Sequence, residues 1–268
     1  MAARTNAAPA SGRRFWDMNG YQWAVLFAAW LGWGFDVFDG LLFNFVAPNC
    51  VPTLLGLTIG SPEARAATLR WTGAYSSLLL VGWAVGGILF GRLADRIGRT
   101  RTLTLTMLLY AGGTALCAFA PNLWVLGLFR LISALGIGGE WAAGAAMVAE
   151  VVPEKRRVEA GALLYTSAPV GLALASFVNS YVAGDLFAGR PELSWRIVFL
   201  AGLVPAAVAL LVRRFVREPE RWVATAAGAR RARFSELFDP AHRRRPLSGF
   251  VMALVPPLTW CAANVFFP

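Results

Sequence analysis

Long apolar stretches alternate along this chain with short polar ones rich in arginine. Six apolar segments fall at residues 23–48, 72–90, 102–119, 123–148, 160–182 and 197–212, and a seventh begins near 247–267. A helix crossing a bilayer needs roughly 20 residues, so the pattern predicts an all-α membrane protein with a six-helix bundle and a partial seventh helix. The organisation expected is a tail at 1–22, the bundle at 23–212, a basic linker at 213–246 and the start of a second bundle at 247–268. Prolines and glycines between 49 and 71 predict an external loop there. The tail carries arginines but lacks the apolar core of a signal peptide, so it is expected to stay uncleaved.

Composition agrees with the pattern. Hydrophobic residues make up 57% of the chain and charged ones only 15%, too apolar a mixture for an ordinary soluble domain. The net charge of +10 would suit a nucleic-acid partner, but its distribution argues for none. With the N-terminus in the cytoplasm, 20 of the 25 Lys and Arg residues lie on the cytoplasmic side, a positive-inside bias that fixes orientation. The expectation is a multi-pass protein of the inner (plasma) membrane, with the lipid bilayer as its surroundings. Cys50, Cys117 and Cys261 lack metal-ligand spacing and read as structural thiols, and His242 lies in an arginine-rich stretch, poorly placed for a buried proton carrier. No catalytic residue, metal or cofactor is expected.

Candidate chemistry comes from charges inside apolar segments. Asp36 and Asp39 are three apart in the first segment, hence on one helix face. Arg130 and Glu140 lie in the fourth. Ionisable groups at membrane depth are costly, so a functional role is the first reading. The alternative for the aspartates is that one caps a local break near Gly34 or Gly40. One guanidinium cannot neutralise three carboxylates, so at least one of them is expected to hold a proton at neutral pH. Gly82, Gly86, Gly87 and Gly91 form a small-residue stripe suited to close helix packing.

Between the second and third segments run Gly91, Leu93, Ala94, Asp95, Arg96, Gly98, Arg99 and Leu103. Read alone, they form a tight charged turn that holds two bundles together or simply fixes topology. The pattern Gly-x-Leu-Ala-Asp-Arg-x-Gly-Arg-x-x-x-Leu resembles the signature loop of the major facilitator superfamily at every position. The stretch from Arg130 through Gly136 to Gly139, Glu140 and Trp141 resembles that superfamily's helix-4 motif, most closely in the branch of proton symporters for sialic acids and other carboxylated metabolites. Gly34, Phe35 and Asp36 resemble the helix-1 element of sugar porters and aromatic-acid symporters.

The resemblance implies a secondary active transporter that couples protons to uptake of a small organic anion by alternating access, and not an enzyme. Asp36 would carry the proton and Arg130 would be its partner, with Asp39 and Glu140 less securely placed. Glu150 and Arg157 resemble a sugar-porter element after helix 4, and Glu218 and Arg221 the acidic turn after helix 6. With Gly91, Asp95, Arg96, Gly98 and Arg99 they would form a cytoplasmic charge cluster. Ala168 and the residue after Gly171 depart from the antiporter motif of helix 5, which favours symport. The alternatives are a neutral-sugar or drug carrier, or an inactive half acting as a membrane scaffold. The resemblance covers about half of a complete transporter, so the expected protein partner is a second six-helix half or a homodimer.

Overall fold

A computed structural model describes residues 18–226 and, beyond them, positions 239, 244, 248–250 and 252. Most of the expected linker and the seventh segment therefore lie outside the described residues, as do His242, Cys261 and the side chain of Arg221. The first compact unit runs through Val223.

All regular structure among the described residues is helical. The elements are α1 (Gly20–Leu55), α2 (Pro62–Ile97), α3 (Arg99–Cys117) and α4 (Leu123–Val151), then α5 (Arg157–Tyr165), α6 (Ser167–Asn179), α7 (Pro191–Ala201), α8 (Leu203–Arg213) and α9 (Glu220–Ala226). A π-helical stretch, Ser180–Leu186, extends α6. The fifth apolar segment is thus one rod made of α5, α6 and this extension, and the sixth is α7 and α8, divided at Gly202.

Local chemistry explains where the long rods start and stop. Asn19 opens α1 with a reciprocal cap: its Oδ1 accepts from the Gln22 N–H at 2.8 Å, and its own N–H donates to Gln22 Oε1 at 3.0 Å. Gly56, at φ 68°, ends it in the left-handed region where a side chain is disfavoured. Ser61 caps α2 and Pro62 supplies a preset first turn. Asn122 caps α4 by accepting from the Val125 N–H at 2.9 Å.

Two connections are tighter than the sequence suggests. The external loop expected at 49–71 shrinks to residues 56–61, because α1 continues past Pro48 and Pro52 to Leu55. A proline removes one helical hydrogen bond, but Cys50 and Val51 are fully buried in the same apolar cluster as Trp195 and Phe199, and that packing carries the helix on. The charged turn reduces to a single residue. Helix α2 runs to Ile97, Gly98 reverses the backbone at φ 110°, and α3 begins at Arg99.

At about 1.5 Å per residue the 36 residues each of α1 and α2 extend roughly 54 Å, well beyond a 30 Å hydrocarbon layer. Among the described residues, four rods are long and apolar enough to cross a membrane: Gly20–Leu55, Pro62–Ile97, Leu123–Val151 and Glu154–Leu186. Helix α4 is the central packing element, flanked by α2 and α3, while α1 packs chiefly on α6. The crossings are close. A Cβ on Gly138 would overlap the Trp83 carbonyl oxygen, one on Gly86 that of Leu135, and one on Gly171 that of Gly34. These contacts press α2 onto α4 and α6 onto α1.

Candidate functional site

Where α1, α3 and α4 converge, charge is buried. Asp36, Asp39, Arg130 and Glu140 are each at most 3% exposed. Arg130 on α4 points its Nη1 to Asp39 Oδ2 at 3.2 Å and its Nη2 to the Asp39 carbonyl oxygen at 3.0 Å. A charge on a helix face is thereby tied both to a carboxylate and to the backbone of the facing helix. Two hydroxyls complete the carboxylate's shell: Ser133 donates to Oδ2 at 2.7 Å and Thr114 to Oδ1 at 2.5 Å, with 3.0 Å between the hydroxyls. Three donors, one of them cationic, thus converge on the Asp39 carboxylate.

The carboxylate seen ion-paired with Arg130 is that of Asp39, three residues beyond the expected partner Asp36. Asp36 is one helical turn away and fully buried, and Glu140 is buried on α4. The sequence reading missed Thr114 and Ser133. Ser133 could have been found, since it lies three residues from Arg130 on the same face of α4. Thr114 reaches Asp39 only because Gly113 lets α3 approach α4: a Cβ there would come within 2.8 Å of the Ser133 nitrogen.

The second cluster lies at the α2–α3 junction. Arg99 donates from Nη1 to Asp95 at 2.6 Å, and from Nη2 and Nε to Glu150 Oε1 at 2.8 and 3.2 Å. Burial opposes its charge, but the bonds to Glu150 and Asp95 outweigh that and raise its pKa. Glu218 caps α3 from outside the helix, accepting backbone N–H groups of Arg99 at 2.8 Å, Thr100 at 3.1 Å and Arg101 at 3.3 Å. An N-terminal turn with its unpaired N–H groups suits a carboxylate. Gly98 makes room for it, since a Cβ there would lie 2.7 Å from Glu218 Cδ. The neighbouring strap is anchored by Tyr21, whose hydroxyl donates to the Arg217 carbonyl at 2.7 Å.

Of the expected cluster, the structure joins Asp95, Gly98, Arg99, Glu150 and Glu218. Arg157 is not part of it and pairs instead with Glu154 in its own turn at 3.7 Å. Arg96 is exposed in the last turn of α2. Gly91 is not a close-approach point, because a Cβ there would stand 3.5 Å from Ala142 Cβ, an ordinary contact. Cys50 and Cys117 are buried and unbonded to each other, in keeping with structural thiols.

A helical bundle of apolar rods around a buried ion-pair network is the architecture of a polytopic membrane protein. The Major Facilitator Superfamily model matches residues 19–268, and the chain belongs to that family. Two curated relatives are the gentisate transporter of Corynebacterium glutamicum, 32% identical over 69% of this chain and 39% of its own length, and the sialic acid transporter NanX of Escherichia coli, 30% identical over 77% and 47%. The proton:xylose symporter XylE bound to 6-bromo-6-deoxy-D-glucose shares the fold, with a TM-score of 0.68 at 20% identity over 76% of this chain and 46% of that one. The chain spans about half the length, or less, of the relatives it matches.

Proposed function

We infer that the chain contributes the amino-terminal bundle of a secondary active transporter, a proton symporter for a small organic anion, working by alternating access from the cytoplasmic membrane with its N-terminus inside. One observation supports this most: among the described residues a single guanidinium, Arg130, is fully buried, in a bundle that also buries the carboxylates of Asp36, Asp39 and Glu140. Asp39 and Arg130 satisfy each other, with Thr114 and Ser133 holding the pair in place. Asp36, fully buried and one turn from the pair on the same helix, is the proton carrier. Proton uptake there alters the field at the Arg130–Asp39 pair, which ties α1 to α4. The cluster around Arg99, Glu150 and Glu218 is the gate that this motion opens and closes. Relatives named for gentisate and sialic acid support an organic acid as cargo.

Uptake by proteoliposomes under an inward proton gradient tests the reading, with radiolabelled sialate, lactate, shikimate, gentisate and xylose as cargo. Gradient-dependent accumulation of an acid is the expected result. Accumulation of xylose alone would replace the anion reading with a sugar carrier.

A further inference from the structure

Three threonines of α3 bond to the turn before them. Thr102 donates to the Gly98 carbonyl oxygen at 2.8 Å, Thr104 to that of Thr100 at 2.9 Å and Thr106 to that of Leu103 at 3.0 Å. This is the default for a threonine in a helix, whose hydroxyl readily meets a carbonyl of the preceding turn. Thr114, only 2% exposed, departs from it and sends its hydroxyl across to Asp39 Oδ1 at 2.5 Å. Its methyl and hydroxyl share one Cβ, so the direction of one fixes the direction of the other. The methyl meets Gly202, at the break between α7 and α8: a Cβ on that glycine would stand 3.2 Å from Thr114 Cγ2, closer than an ordinary contact. It would also lie 3.0 Å from the Phe199 carbonyl oxygen, with little room to withdraw. Gly202 has right-handed backbone angles, φ −60° and ψ −18°, so what the position uses is the missing side chain rather than freedom to turn.

We propose that Gly202 is a positioning residue for the Arg130–Asp39 pair, and that it acts through Thr114. This rests on the reading of that pair as part of a transporter's coupling site. The gap at Gly202 accepts the Thr114 methyl, and that holds the hydroxyl on Asp39 rather than on the backbone of α3. With a side chain at this position the methyl is displaced and χ1 turns to another staggered well. The hydroxyl then returns to a carbonyl of its own helix, as at Thr102 and Thr104. Asp39 keeps Ser133 and Arg130 but loses the donor to Oδ1. The sixth rod packs on both α1 and α3. It thereby sets the geometry of the pair, although none of the three donors on Asp39 comes from it.

The test compares Gly202→Ala with two double variants of the full chain, Gly202→Ala with Thr114→Ser and Gly202→Ala with Thr114→Ala. Both doubles remove Cγ2 and make room for the new methyl, but only serine keeps the hydroxyl. Initial uptake of the labelled acid that the parent accumulates under an inward proton gradient, and melting in detergent, are read on the same preparations. Gly202→Ala is expected to lower the rate about tenfold or more, the scale of a lost hydrogen bond to a charged group. The serine double should regain most of that loss and the alanine double none of it. In melting, the alanine double should lie about 5 °C below the serine double. If Gly202→Ala alone does not fold, the two doubles still decide, because both relieve the crowding and differ only in the hydroxyl. Equal recovery by both doubles would mean that Gly202 serves packing alone, and recovery by neither, or a parent-like rate in Gly202→Ala, would cut its link to Thr114. Each of these overturns the proposal and leaves the transport reading standing. Absence of uptake by every form, the parent included, overturns the transport reading, and the order of melting then decides for or against Gly202.

Discussion

Arg130 reaches from α4 to grip Asp39 of α1 twice, once at the carboxylate and once at the backbone carbonyl. The pair is 3% exposed on either side, so neither charge is relieved by solvent. Removing one partner of a buried pair leaves the other uncompensated and typically costs about 3–5 kcal/mol. Arg130→Ala and Asp39→Ala should each lower the melting temperature strongly in detergent, and the double variant should recover part of the loss. Arg130→Lys should also fail in uptake, because an ammonium cannot reach carboxylate and carbonyl together with a fork. Additive losses in the double variant would show that the two residues do not act as a pair.

Asp36 and Asp39 should separate by phenotype. Asp36→Asn is expected to abolish uptake driven by a pH gradient while leaving counterflow exchange partly intact, since exchange needs binding but no net proton release. Asp39→Asn should lose both, because Arg130 loses its anchor. Unchanged gradient dependence in Asp36→Asn would remove it as carrier.

The spans were readable in the sequence because apolar runs of membrane length leave few alternatives. Arg130 was readable because a guanidinium within such a run needs a reason. The choice between Asp36 and Asp39 was not, since residues three apart on a helix differ by only about 60° around its axis. Interhelical rotation decides which one meets Arg130, and that is set by crossings such as Gly34 against Gly171. Glu218 as the cap of α3 was equally hidden. Its partners are backbone N–H groups, which every sequence has and no motif displays.

Within the α2–α3 cluster the two acidic partners of Arg99 should not weigh alike. Asp95 is 69% exposed at the pair, Glu150 only 21%. Exposed ion pairs contribute about 0–1 kcal/mol, so Asp95→Asn should shift cysteine-accessibility profiles between inward- and outward-open forms only slightly. Glu150→Gln, which removes a two-pronged contact in a drier place, should shift them more. The reverse order would assign the gate to Asp95.

Glu218→Ala removes the carboxylate from three backbone donors at once. Loss of an N-cap usually costs about 0.5–2 kcal/mol. Gly98→Ala should be worse, because it combines a left-handed φ of 110° with overlap on Glu218. Hydrogen exchange at the first turn of α3 reads both directly. Protection unchanged in Glu218→Ala would mean that the N–H groups find water instead.

The glycine stripe on α2 offers the sharpest separation between pattern and structure. By spacing, Gly82, Gly86, Gly87 and Gly91 look equivalent, each a candidate for close helix packing. In the bundle they are not. A Cβ on Gly86 would run into the Leu135 carbonyl, which belongs to the backbone of α4 and cannot rotate away, whereas at Gly87 and Gly91 the nearest atoms stand at 3.5 Å. Gly86→Ala must therefore push α2 off α4, and overpacking of this kind costs about 1–3 kcal/mol. The same displacement would move Trp83 relative to Gly138, whose own Cβ position overlaps the Trp83 carbonyl. Gly87→Ala and Gly91→Ala add a methyl into ordinary contact and should melt like the parent. Thermal unfolding of the three single variants in one detergent decides the matter: a loss confined to Gly86→Ala is expected, and equal losses at all three would mean that α2 meets α4 along the whole stripe.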